Sequence, residues 1–374
     1  ADAMTMSGIR VKGFKRLDKN LEKIVVGRIL SAERHPDADR LMICQTDIGT
    51  DRIQIVTGAL HIKVGDKVPV VLDGGRIPGG HDSSSVSEHG IPIKKGRLRG
   101  VESNGMICSP KELGSAWDRY TNDPEEAICV MDPDVPEGAD AVELLGLRDT
   151  IFTCEIPYNR ADCCGVLGVA RQLAAVFNME FCPPHPQEKG NDEKVSDYIQ
   201  LDVQDSTLCL RYCARVVKNI RIAPSPEWMR RRLAACGIRP VNNLVDIVNY
   251  AAQEYGQPIH IYDMGSIVGH KIIVRRARDG EQFQTLDGQI RNLDHSTLMI
   301  CDAEKEIGIA GIMGGEHSRG MHNASAIMLE AACFDGANIR RSAKRLGIQT
   351  EMSEKFGKSL DPNIAQEAIN RACQ

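Results

Sequence analysis

Between residues 22 and 112 the chain changes character every few residues, and this alternation most restricts what it can fold into. The runs "KIVVGRIL", "MICQTDIG", "RIQIVTG" and "KVPVVL" carry β-branched residues and are set off by Gly, Asp or Pro. They are short for helices and suit a pleated surface. "PDADRL" and "DGGRIPGGHDSSS" supply turn residues. Five or so short strands at this spacing predict a closed β-barrel of the oligonucleotide-binding type.

The period then changes. Residues 117–150 are acidic and proline-bearing, as loop and a short connection would be. In "TCEIPYNRADCCGVLGVARQLAAVFN", Val166, Val169, Ala170, Leu173, Val176 and Phe177 recur at helical spacing, with Asp162 near the start and Asn178 as a stop. "PPHPQEKGNDEKVSD", residues 183–197, is polar and Pro-rich and is the best linker in the chain. Beyond it "YIQLDVQD", "LRYCARVVKNI" and "KIIVRRA" predict strands. "SPEWMRRRLAACG" predicts a helix with Ser225 as N-cap, Pro226 in the first turn and Gly237 as stop. "DGANIRRSAKRLG" predicts another, ending at Gly347.

Composition enters through what it excludes. No apolar run approaches the roughly 18 residues of a membrane span. The N-terminus lacks signal-peptide features and an initiator Met, so a fragment is expected. The 13 cysteines form no CxxC pair, which argues against zinc. "LMICQ", "GMICS" and "LMICD" place cysteines among apolar neighbours, as buried reduced thiols in a cytosolic protein would be. A net charge of −5 disfavours a wholly electrostatic nucleic-acid binder. Basic clusters at 91–100 and 211–240 can still meet phosphate, although a solvated face is the commoner meaning of such runs.

"IGIAGIMGGEHSRG", residues 307–320, holds five glycines. No Lys-Ser or Lys-Thr follows, and the spacing is not that of a dinucleotide loop. Strand–turn–strand is the larger possibility, and a nucleotide loop the smaller. Glu330 is a lone acid inside the apolar run "IMLEAACF". A carboxylate there must be paired or hydrogen-bonded. A structural ion pair, with an arginine as the candidate partner, and a functional role stand about equal. A lone His260 is more often a satisfied core histidine than a catalyst.

These residues resemble a family. "HPDADRL…VTGA…LRGVESNGMICS", "PYNRADCCGVLGVAR" and "CGIRPVNNLVDIVNY…GQPIHIYD…GIMGGEHS…LEAACF" are similar, in order, to the N-terminal part of the beta subunit of bacterial phenylalanyl-tRNA synthetase. The resemblance implies an α+β multidomain chain. Residues 1–21 and 139–190 would form an N-terminal helical, linking domain. Residues 22–138 would form a tRNA-binding barrel of the oligonucleotide-binding fold, and residues 191–374 a mixed α/β editing module. The family's editing module hydrolyses tyrosine wrongly attached to the phenylalanine tRNA.

Carried over by motif, His260, Glu330 and Thr350 would serve that hydrolysis, with Glu330 recognising the tyrosine hydroxyl. Arg239, Asn249, Gly311, Gly314 and Met352 would contact the substrate, the glycines as a pocket wall. Lys94, Lys95, Arg97 and Arg99 would meet tRNA. Val248 and Met352 depart from the family's usual Thr and Ala. No cofactor is expected in this chain, while magnesium and ATP are implied for the whole enzyme. The implied partners are an alpha subunit, in an assembly of two alpha and two beta subunits, and tRNA(Phe), with no membrane. The implied compartment is the cytoplasm. The competing classes are a non-catalytic tRNA-binding scaffold and a nucleotide-binding enzyme using the glycine loop.

Overall fold

The computed structural model describes residues 1–79, 88–114, 128–187, 190–315 and 324–374. Contacts divide the chain into two units: Ala1–Lys12 with Cys154–Leu233 and Val241–Gln374, and Gly13–Thr153 with Ala234–Pro240. The stretch 183–197 lies within the first of them.

The second unit is built on the predicted short strands. Glu22–His35 pairs antiparallel with Ala38–Asp47 on one side and Lys67–Ile77 on the other. Arg52–Thr57 extends the sheet at one edge, and Ile91–Pro92 and Gly105–Ile107 both pair with Lys67–Ile77. The sheet curls until its edges meet in part. The Asn104 amide donates to the Gln54 carbonyl at 2.8 Å, and the Val56 amide donates to Ser103 Oγ at 3.0 Å.

Strand alternation sorts this core. Val68 and Val70 pack with Ile29, Cys44, Ile55 and Ile107 on one face. Val71, on the other face, joins Ala141, Val142 and Leu145 around the helix Ala141–Leu144. At one end Gly96–Leu98 and Val101–Ser103 form a hairpin. Its two-residue turn, Arg99 at φ +47° and Gly100 at φ +87°, has the positive angles that tight hairpins require.

The first unit layers two sheets and helices. A three-stranded antiparallel sheet places Ala326–Phe334 between Cys209–Lys218 and His260–Asp263. One of its faces packs through Leu329, Ala331 and Ile261 against the helices Asn243–Tyr255 and Ile364–Cys373. Its other face shares a core with a five-stranded sheet, ordered Gln200–Val203, Lys271–Arg276, Leu298–Cys301, Glu306–Ile309 and Met313–Gly314.

The helix Val166–Phe177 ends at Asn178 in the left-handed conformation, as the sequence predicts. Asp162 does not cap it. Its carboxylate pairs with Arg160, and Gly165 takes the cap position. The Ser225 hydroxyl, just before the helix Glu227–Ala235, donates to the buried Asp246 carboxylate at 2.5 Å. Cys44, Cys108 and Cys301, the cysteines of the three apolar runs, are buried and free of disulfides. No described helix is long and apolar enough to cross a membrane.

Candidate functional site

Glu330 stands in the middle of Ala326–Phe334, opposite Ala214 on one neighbouring strand and His260 on the other. Residues directly opposite share a face, as do residues two apart along a strand. That geometry brings Tyr212, two before Ala214, and Tyr262, two after His260, to the same face. The Tyr212 hydroxyl donates to Glu330 Oε2, and the Tyr262 hydroxyl bonds the same carboxylate. Glu330 is only 6% exposed. Burial pushes its carboxyl up to about 7, while the two tyrosine hydrogen bonds pull it down. Both phenols are held well above their ordinary range, chiefly by burial and then by the carboxylate's charge.

The arginine partner imagined from sequence is therefore replaced by two phenols. An ionised carboxylate offers about four acceptor positions. Two phenol donors leave acceptor capacity for another hydroxyl. Replacing Tyr212 with phenylalanine removes one donor that favours the ionised form. The Glu330 titration midpoint is expected to rise above about 7. Carboxyl NMR on labelled protein would read the shift, and an unmoved midpoint would contradict the hydrogen bond.

His260 packs edge-on to Tyr262, with ring centroids 4.5 Å apart and planes at 68°. Its Nε2 is buried without a hydrogen-bond partner. Burial lowers its pKa to about 4, so the ring is neutral at pH 7. It can orient a water or donate to a developing negative charge, but it is a weak base.

The other residues named from sequence fall in different surroundings. Thr350 caps the helix Glu351–Phe356. Its hydroxyl accepts from the Ser353 amide at 3.0 Å and donates to the Ile312 carbonyl at 2.9 Å. Met352 packs on the core shared by the two sheets. Gly311 turns the hairpin between Glu306–Ile309 and Met313–Gly314 at φ +66°. A Cβ there would come within 3.0 Å of Phe334 and Ile339 and 3.1 Å of Phe356. Gly314 pairs with Gly308 in that hairpin. The Ala310, Ile312 and Gly315 amides donate to carbonyls of Leu298, Ile309 and Ile307.

The glycine stretch thus forms strand–turn–strand as far as residue 315, and Gly311 makes its close approach to core side chains. Glu316 and His317 lie outside the described residues. Asn249 stands on Asn243–Tyr255, the helix covering the opposite face of the Glu330 sheet. Val248 is buried in that same packing. Arg239 is exposed and belongs to the Ala234–Pro240 segment grouped with the other unit. Lys94, Lys95, Arg97 and Arg99 are all exposed, on or beside the hairpin of Gly96–Leu98 and Val101–Ser103, a two-stranded sheet of its own. Sequence reasoning missed Tyr212 and Tyr262. Their signal is the two-residue offset from positions paired with Glu330, legible only once the register is known.

Residues 24–140 match a tRNA-binding domain family, and residues 208–374 match the B3/4 domain family. The phenylalanine–tRNA ligase beta subunit of Clostridium acetobutylicum is 43% identical over 376 residues, covering 100% of this chain and 45% of that protein. That of Moorella thermoacetica is 40% identical over 374 residues, again covering 100% of this chain and 45% of that protein. The chain thus spans less than half the length of these curated relatives. Among solved structures, an N-terminal fragment of the Pyrococcus horikoshii phenylalanyl-tRNA synthetase beta subunit shows 14% identity over 56% of this chain and 61% of that one. Its TM-score of 0.29 is too low to bear on the fold.

Proposed function

We propose, from the premise that this chain belongs to the phenylalanine–tRNA ligase beta-subunit family, that it binds tRNA and hydrolyses tyrosine wrongly esterified to tRNA(Phe). The observation that carries the editing reading is the buried Glu330 carboxylate accepting hydrogen bonds from phenol hydroxyls. A group built to receive phenols selects tyrosine over phenylalanine, which has no hydroxyl to offer. An apolar pocket alone rejects an added hydroxyl by only about a hundredfold, so a second site that requires it adds discrimination.

In the hydrolysis a water oxygen bonds to the ester carbonyl carbon. The bond from that carbon to the ribose oxygen breaks, and a proton from the water passes to the ribose oxygen. Tyrosine and free tRNA leave. Neutral His260, with its unpartnered Nε2, orients the water or donates to the developing oxyanion. The Ala310, Ile312 and Gly315 amides are committed to backbone carbonyls, so these three are not free to meet the oxyanion. Thr350 supports the site by pinning the helix Glu351–Phe356 to the hairpin. The deciding experiment measures release of tyrosine and of phenylalanine from the two charged forms of tRNA(Phe) by this chain. Turnover of the tyrosyl form alone supports editing. Binding without turnover supports the non-catalytic scaffold.

The curled sheet of the second unit suits an oligonucleotide-binding barrel, and its exposed cationic hairpin suits phosphate. Charge reversal at Lys94, Lys95, Arg97 and Arg99 is expected to flatten the salt dependence of tRNA binding, by about one unit of slope for each phosphate no longer neutralised. An unchanged slope would remove these residues from the interface. The whole enzyme would join two such beta subunits to two alpha subunits in the cytoplasm. ATP and magnesium would serve that enzyme. No group of three or more His, Cys, Asp or Glu among the described residues could hold a metal ion, and no step here runs through either group.

A further inference from the structure

A separate pocket is built by three distant segments of the first unit. Tyr158 and Asn159 come from one loop, Arg340 from the helix Gly336–Leu346, and Lys358 and Ser359 from the turn after Glu351–Phe356. They line an open pocket of about 440 Å³. The Arg340 guanidinium carbon lies 5.9 Å from the Tyr158 ring centroid, and Lys358 Nζ lies 5.1 Å from it. No carboxylate belongs to the lining, and neither cation forms an ion pair among the described residues.

Arg340 is held through its side chain, and Lys358 through the turn that carries it. Arg340 donates to the Gly357 carbonyl. A Cβ on Gly336 would stand 2.5 Å from Ser359 Oγ and 2.8 Å from the Phe356 carbonyl, so glycine lets the helix press directly on the turn that carries Lys358. Ser359 holds φ at +63°, a strained value for a residue with a side chain. The next residue, Leu360, is buried, and its carbonyl accepts from the Cys333 thiol at 3.0 Å. Two cations beside one ring repel each other, and an anion between them relieves that repulsion. Tyr158 is 65% exposed, and its ring offers a surface for an adjoining base.

We propose that this pocket binds a backbone phosphate of RNA. Arg340 and Lys358 meet the phosphate oxygens, Asn159 and Ser359 are neutral donors, and Tyr158 packs against the neighbouring nucleoside. The choice of RNA rests on the proposal that the chain binds tRNA.

The test is fluorescence anisotropy of the chain with labelled tRNA(Phe), between about 50 and 200 mM salt, where phosphate contacts dominate the slope. Lys358→Glu is expected to weaken binding about tenfold at the low end and to reduce the log–log slope by about one. Tyr158→Ala is expected to weaken it severalfold without changing the slope, and Lys358→Arg to bind like the wild type. Tyr158 and Lys358 lie outside the buried core, and circular dichroism checks that each variant folds. Variants that match the wild type in affinity and slope overturn the pocket and leave the tRNA-binding proposal intact. A wild type that does not bind tRNA overturns both. Equal losses toward dextran sulfate and tRNA would identify a general polyanion surface and overturn the assignment to RNA.

Discussion

Glu330→Ala is expected to abolish selective hydrolysis of the tyrosyl ester, lowering kcat/KM for that ester by about a hundredfold. A hydrogen bond to a charged group contributes about 1.5–3 kcal/mol, and about 1.4 kcal/mol is a tenfold change in rate. The phenylalanyl ester should be nearly unaffected, so the ratio of the two rates collapses. The same substitution strands the Tyr212 and Tyr262 hydroxyls in a buried place, which costs about 1–3 kcal/mol of stability for each left unpaired. Glu330→Gln separates the two effects. It keeps the volume and one carbonyl acceptor, and should retain the fold with an intermediate rate ratio. Hydrolysis by Glu330→Ala at the wild-type ratio, in protein shown to be folded, would sink the assignment.

The second expected result concerns acid stability. Glu330 moves from 4.5 to about 7 on folding. Its stabilising contribution is fully present below 4.5 and is lost as pH rises through about 7. His260 moves from 6.5 to about 4. Its contribution is present above 6.5 and is lost as pH falls toward about 4. Between pH 4.5 and 6.5 the two slopes oppose, so their sum is nearly flat. Removing the carboxyl leaves the variant with the histidine slope alone, and its difference from wild type is the lost Glu330 contribution. Relative to wild type, Glu330→Gln should lose roughly 3 kcal/mol as pH falls from 6.5 to 4.5, at about 1.4 kcal/mol per unit of pH. Groups common to both proteins cancel in the difference. Urea unfolding at both ends of the interval measures it, and parallel curves would show that Glu330 carries no extra proton in the fold.

Much of the architecture was legible from periodicity. The strands around "KIVVGRIL", "LRYCARVVKNI" and "KIIVRRA" formed as expected because β-branched alternation and local turns act over a few residues. Helix ends marked by Asn178 and Gly347 were equally local. What was not legible depended on distant partners. Ser225 has the chemistry of a cap, but its donation to Asp246, buried 21 residues later, has no local signal. The burial of Glu330 was visible in "IMLEAACF", but Tyr212 lies 118 residues away in sequence. Only strand register joins them. The glycine stretch was ambiguous for a similar reason. Glycine density announces a close approach but not whether a ligand or a core side chain makes it. At Gly311 it is the rings of Phe334 and Phe356 and the Ile339 side chain.

The strand Ala326–Phe334 has a consequence for how such a chain can vary. Even-numbered Met328, Glu330 and Ala332 look toward the second sheet, and odd-numbered Ile327, Leu329 and Ala331 toward the helices. A substitution alters one of these positions, but a single inserted or deleted residue inverts parity for everything beyond it. It would drive the carboxylate into a layer of alanines and leucines and turn leucine toward the tyrosines. Length drift in this family should therefore collect in the loops between strands. Within the strand, the count of residues is itself inherited.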